Sequence, residues 1–241
     1  MNRIWTTYDW KTGKEASATG ESEIGHVASR DRLVLVDGGM VNGIQDSASA
    51  YSASALAMWA SILRLDATVI LIETAESLAS ASVNMLEFGS LHMPALRVER
   101  QRDLESGFAA LRDTKAARKA IVLAPREPID LRAVFYGDEM VPSVAIVRGP
   151  EGDGAWPMDL AYVRSIRDQC AEAGVPFIFL GWGDWCYRSQ LPVGSYGEPI
   201  ESAFNLVRYG AAVSGRQLDG VTHLGLPASA LGPSRGCSRG W

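Results

Sequence analysis

The 241-residue sequence predicts an α/β fold: a parallel (β/α) barrel-like domain of incomplete or irregular TIM type. Two observations carry this. Short apolar runs recur along the chain, and amphipathic segments with helical spacing lie between them. An open doubly wound sheet is the alternative that the same alternation allows.

The apolar runs are Leu33–Val36, Thr68–Ile72, Ala95–Val98, Ala120–Leu123, Ser143–Val147 and Pro176–Leu180. Each is short and aliphatic or β-branched, as strands covered on both faces require. Helices are predicted over Ala53–Leu65, Thr74–Leu86, Arg100–Asp113 and Asp159–Ala173. The last is the clearest. Leu160, Val163, Ile166 and Cys170 form one stripe, Asp159 suits the N-cap and Gly174 the C-terminal stop. The segment Gly181–Gly215, rich in Gly, Pro, Trp and Tyr, reads as irregular. Residues 1–227 are expected to form one domain and residues 228–241 a tail, and no internal repeat is visible.

Composition narrows the function classes. Apolar residues make up 47% and charged residues 21%, an ordinary soluble balance. The net charge of −5 argues against nucleic acid as the main partner, because phosphate neutralisation needs a basic surface. No stretch is apolar and long enough to span a bilayer, and the start at Met1–Trp5 does not read as a signal peptide. Cys170, Cys186 and Cys237 are odd in number and far apart, a poor disulfide framework that fits a reducing compartment.

Candidate chemistry is sparse. His26, His92 and His223 show no ligand spacing, so packing or surface roles are expected of them. Asp37-Gly38-Gly39 after the first long strand is either a turn or a weak phosphate loop, without the full glycine-rich pattern. Glu73, Glu99, Glu127 and Asp184 stand near strand ends, where paired carboxylates do acid–base work and salt-bridged carboxylates hold loops. The Ser/Ala run at Asp46–Ser54 lacks a nucleophile elbow and reads as small residues for close packing. Trp182, Trp185, Tyr187 and Tyr196 have two competing readings. They form an interface to a protein partner, or a loop packed by its own aromatics over the barrel end.

Three stretches carry a family likeness. They are Gly149-Pro-Glu-Gly-Asp-Gly-Ala-Trp-Pro-Met158, then Tyr162-Val-Arg-Ser-Ile-Arg-Asp-Gln-Cys170, then Gly174-Val-Pro-Phe-Ile-Phe179 with Trp182-Gly-Asp-Trp185. Together with Gly215-Arg-Gln-Leu-Asp-Gly220 and the opening Ile4–Gly13, they resemble a radical-SAM-like phage and prophage protein family with a three-cysteine loop. That family reads G-G-E-S-G-P-G-A-R-P-M, W-V-R-S-L-R-D-Q-C and G-V-P-F-F-F-K-Q-W-G at these places. The resemblance implies a radical-SAM-like barrel, with a [4Fe–4S] cluster held by three thiolates.

Here the cysteine positions fall on Lys14, Glu21 and Ile24, which cannot supply that thiolate set. Strand-end positions depart as well: F-K-Q-W-G is Phe179-Leu180-Gly181-Trp182-Gly183, and A-R-P-M is Ala155-Trp156-Pro157-Met158. The resemblance thus implies a degenerate, cluster-less member with no cofactor, no metal and no catalytic residues. Such a member is expected to act as a structural or interaction component, by a protein partner or self-association, in host cytoplasm or virion. Non-radical chemistry on a nucleotide-like substrate and a nucleic-acid accessory role are the alternatives.

Overall fold

The computed structural model describes residues 5–9, 15–18, 32–37, 68–79, 92–137, 140–191, 193–194 and 197–225. Its main sheet has eight strands: β1 (Trp5–Asp9), β2 (Glu15–Ala18), β3 (Arg32–Asp37), β4 (Thr68–Glu73), β5 (His92–Val98), β6 (Ala120–Leu123), β7 (Val144–Arg148) and β8 (Phe177–Gly181). They lie in the order β2-β1-β3-β4-β5-β6-β7-β8. Strands β3 to β8 are parallel and each neighbours the next in sequence. A doubly wound sheet reverses its strand order part-way. The unbroken order here instead gives a curled six-strand half-barrel, extended at its β3 edge by the antiparallel β1 and β2.

The helices are α1 (Ala75–Ala79), α2 (Gln101–Asp113), α3 (Arg132–Phe135), α4 (Leu160–Ala173) and α5 (Ala211–Ser214). The alternation of strand side chains makes two apolar layers. Leu96, Val98, Ile121, Leu123, Val147 and Phe179 pack with Leu104 and Leu111 of α2 and with Val163, Ile166 and Cys170 of α4. On the other face Ile70, Ile72, Met93, Ala95, Val122, Ile146, Ile178 and Leu180 form a second cluster. Burying a side chain such as Ile166 contributes about 2 kcal/mol, so this double layer holds the strand ends in place.

Helix α4 begins where the Asp159 carboxylate accepts the Ala161 N–H at 2.7 Å. It ends at Gly174, whose φ of 67° is the left-handed stop that glycine favours. Helix α2 starts on carboxylates: Asp103 Oδ2 accepts the N–H groups of Glu99 and Arg100 at 2.9 and 2.8 Å, and Glu127 Oε1 accepts the Gln101 N–H at 2.8 Å.

Strand β5 starts earlier than its apolar run, at His92, and takes in Pro94. The ladder to β6 begins only at Ala95, past the proline, so the irregular residue sits against β4 alone. The segment expected to be irregular contains a three-stranded antiparallel sheet, order β10-β11-β9, of β9 (Trp185–Tyr187), β10 (Glu201–Ala203) and β11 (Leu206–Arg208). Three-residue strands are too short to show a period of two. A last hairpin, β12 (Gln217–Leu218) and β13 (Val221–Thr222), turns through Asp219 and Gly220 at φ 55° and 77°. Leu224 then pairs antiparallel with Ile178 and covers the outer edge of β8. Among the described residues no helix is long and apolar enough to cross a membrane.

Candidate functional site

The C-terminal ends of β7 and β8 are locked together by their loops. Gly149 N–H donates to Gly181 O at 2.9 Å, and Asp184 N–H to Pro150 O at 3.0 Å. A Cβ on Gly149 would strike the Trp182 carbonyl, and one on Gly183, at φ +74°, would strike Pro150 O and Gly149 C. Asp184 extends the lock. Its Oδ2 accepts from Gly152 N–H at 3.1 Å and from Arg208 Nη2 at 3.3 Å, while Arg208 also reaches Glu201 Oε1 at 2.9 Å. The loop after β7 is thereby tied to the β9–β11 meander.

Beside this lock lies a cavity of about 400 Å³ lined by Arg148, Glu151, Arg216 and Gln217, with Gly149, Gly181, Gly183 and Gly215 in its walls and Leu180, Ala211 and Ala212 as its apolar side. Arg148 Nη2 donates to Glu151 Oε1 at 3.0 Å. The three guanidinium nitrogens of Arg216 are buried.

A second network ties together two motif segments. Asp219 accepts from Arg164 Nε at 3.0 Å, Arg167 Nη1 at 3.0 Å and Gln190 Nε2 at 3.2 Å. The hydrogen bond from Arg164, followed by that from Arg167, outweighs burial and holds the Asp219 carboxyl down at about 2. Arg164 and Arg167 project from the solvent side of α4, so this motif pairing is a staple between helix and hairpin.

Of the carboxylates singled out in the sequence, three hold structure. Glu99 bonds Arg126 Nε at 3.0 Å, and the Arg126 guanidinium lies 3.3 Å over the centroid of the Trp156 ring. The ends of β5 and β6 and the loop after β7 are laced by that chain of contacts. Glu127 caps α2 and Asp184 holds the loops as above. Glu73, at the end of β4, is 1% exposed. The structure brings none of these four together as an acid–base pair around the cavity.

The aromatics divide. Trp182 is 1% exposed in the core, its Nε1–H donating to Gln217 O at 3.0 Å and its ring meeting Phe179 edge-on at 5.0 Å. Trp185 is half-buried and donates to Ala155 O at 3.2 Å, and Tyr187 is half-buried with its ring edge-on to Trp182 at 6.2 Å. Tyr196 lies outside the described residues, as do Gly38, Gly39, His26, Cys237 and the Ser/Ala run. His92 opens β5, whereas His223 stands beside Phe177 at 5.4 Å with its pKa lowered by burial and then by Arg167.

The [4Fe–4S] cluster that the resemblance implies does not fit the described residues. Cys170 and Cys186 both lie in the helix-side core, and burial pushes each thiol up to about 12. A ligand to iron must be the thiolate. Among the described residues there is no group of three His, Cys, Asp or Glu side chains suited to a metal ion. Lys14, Glu21 and Ile24 lie outside the described residues.

A family model described as a protein of unknown function, DUF5131, matches residues 91–227, more than half of the chain. The chain belongs to the DUF5131 family. No curated protein and no solved structure matches it. The DUF5131 match runs from the start of β5 past Leu224 and takes in the whole lock, the cavity and the Asp219 staple.

Arg148 and Arg216 escaped the sequence reading. Arg148 follows the apolar run Ser143–Val147 directly, and a charged residue at that place in a barrel is a usable signal. Arg216 sits inside the Gly215–Gly220 motif without any spacing that points to Arg148.

Proposed function

We propose that this DUF5131 chain is a non-catalytic interaction protein on a degenerate, radical-SAM-like partial barrel of TIM type. It engages a protein partner or a second copy of itself, in host cytoplasm or in a virion, a location that rests on the phage context of the resemblance. Phe204 carries this reading. It sits at the tip of the β10–β11 hairpin, 94% exposed, with φ of 53°. A left-handed conformation costs a bulky residue about 1–2 kcal/mol, and an exposed ring returns no burial energy. Asparagine or glycine would suit the turn on both counts. Contact with a partner supplies the missing gain, since aromatic rings anchor interfaces. Ile200, on the same meander, is also exposed, at 69%.

The engagement of Glu99, Glu127 and Asp184 in structural bonds supports a role without acid–base chemistry. The test compares the parent chain with Phe204→Asn by light scattering of the purified protein and by cross-linking mass spectrometry in the native host. The expected result is association through the hairpin that the substitution abolishes while the fold is kept. Identical assembly and identical cross-links in both proteins would sink the reading.

A further inference from the structure

We infer that residues 223–225 form an acid-sensitive latch, which closes the outer edge of β8 while the His223 ring is neutral and releases it when the ring takes a proton. This goes beyond the hairpin reading and stands or falls separately.

The latch has an anchored end and a lightly held end. At the anchored end, Trp182 Nε1–H donates to Gln217 O of β12 at 3.0 Å, and Gln190 Oε1 accepts the Asp219 N–H at 2.8 Å. Beyond β13 the chain meets β8 again: Phe179 N–H donates to His223 O at 2.9 Å, and Leu224 bridges to Ile178. These are main-chain groups that an open β8 edge would leave bare. Val221 and Thr222 are exposed between the two ends, so the arm opens without unpacking the core.

The His223 ring decides how well the light end holds. It stands edge-on to Phe177 at 5.4 Å, and its Nε2 is buried with no hydrogen-bond partner among the described residues. A neutral ring leaves one unpaired acceptor there. A protonated ring would put an N–H donor and a positive charge in the same place, and an unpaired buried charge costs far more.

The charged groups acting on the ring come from two elements. Arg167 on α4 repels its proton, while Asp219 in the β12–β13 turn attracts it, as does a main-chain bond to Leu218. Strand β8 presents Phe177, which carries no charge. Arg164 and Arg167 keep Asp219 ionised down to about 2, so it does not titrate where histidine does. Burial, followed by Arg167, prevails and lowers the His223 pKa from 6.5. In the open arm the ring regains its ordinary value. Opening then takes up a proton below pH 6.5 and becomes easier as pH falls, whereas the closed arm keeps its full hold above that value.

The experiment is hydrogen exchange of the full chain, read amide by amide by NMR from about pH 7.5 to about pH 5 and corrected for intrinsic exchange. Protection of the Phe179 N–H is expected to fall below pH 6.5, by up to about tenfold per pH unit. The Ala145 N–H, which donates to Pro176 O at 2.9 Å, keeps its protection. His223→Phe removes the titrating group and makes the Phe179 protection independent of pH. Arg167→Gln shrinks the pH response, and this variant keeps the test open should His223→Phe fail to fold. The inference is overturned if Phe179 protection in the parent does not change with pH, if Ala145 loses protection in parallel, or if either variant keeps the parent's response.

Discussion

Gly149 and Gly183 meet main chain to main chain, and neither position has room for a Cβ. This contact joins the loops after the last two parallel strands, beside the cavity.

Gly183→Ala is therefore expected to destabilise the protein by about 3 kcal/mol, adding left-handed strain to a clash with Pro150 O. Chemical denaturation of the variant against the parent measures it. A loss near zero would mean the loops part easily.

The Asp219 staple makes stability depend on acid. Its carboxyl falls from 3.8 to about 2 on folding, chiefly through Arg164. A depressed carboxyl stabilises the fold above its unfolded value, and that contribution fades as pH drops from about 4 to about 2. Solvent screening reduces it to about 1 kcal/mol. Asp219→Asn is expected to lose that amount at neutral pH and to approach the parent only as pH falls below about 2, as read by urea unfolding across that range.

Cys170 and Cys186 are buried with thiols held at about 12. Alkylation of the native protein under mildly alkaline conditions should leave both unmodified, and denaturant should expose both, as mapped by peptide mass spectrometry. Rapid native labelling of either would place it outside the core.

Much of the frame was legible in the sequence. The run Ala120–Leu123 is a strand from end to end, and the stripe, Asp159 cap and Gly174 stop delimit Leu160–Ala173. Buried strands and capped helices announce themselves locally. The meander did not, because its strands have three residues each and take their stability from Asp184, Arg208 and Glu201. The cavity did not either. Arg148 and Arg216 are far apart in the chain and become neighbours only once β7, β8 and the β12 hairpin are in place. Trp182 was legible as an aromatic of consequence, but an indole in the core and one on a surface look alike in sequence.

Phe204→Asn should leave stability unchanged or raise it by about 1 kcal/mol, because asparagine tolerates the left-handed turn. Thermal unfolding checks this independently of any partner. A marked loss would show that the ring stabilises the hairpin itself.

The proposed function has this chain work by binding and hold no iron–sulfur cluster, on the resemblance that sets Lys14, Glu21 and Ile24 where that family has cysteines. Anaerobic reconstitution of the full chain with ferrous iron and sulfide, followed by iron analysis, a visible spectrum and an assay for reductive cleavage of S-adenosylmethionine, tests it directly. Colourless protein without stoichiometric iron and without cleavage is the expected result. A stable cluster that cleaves S-adenosylmethionine would contradict it.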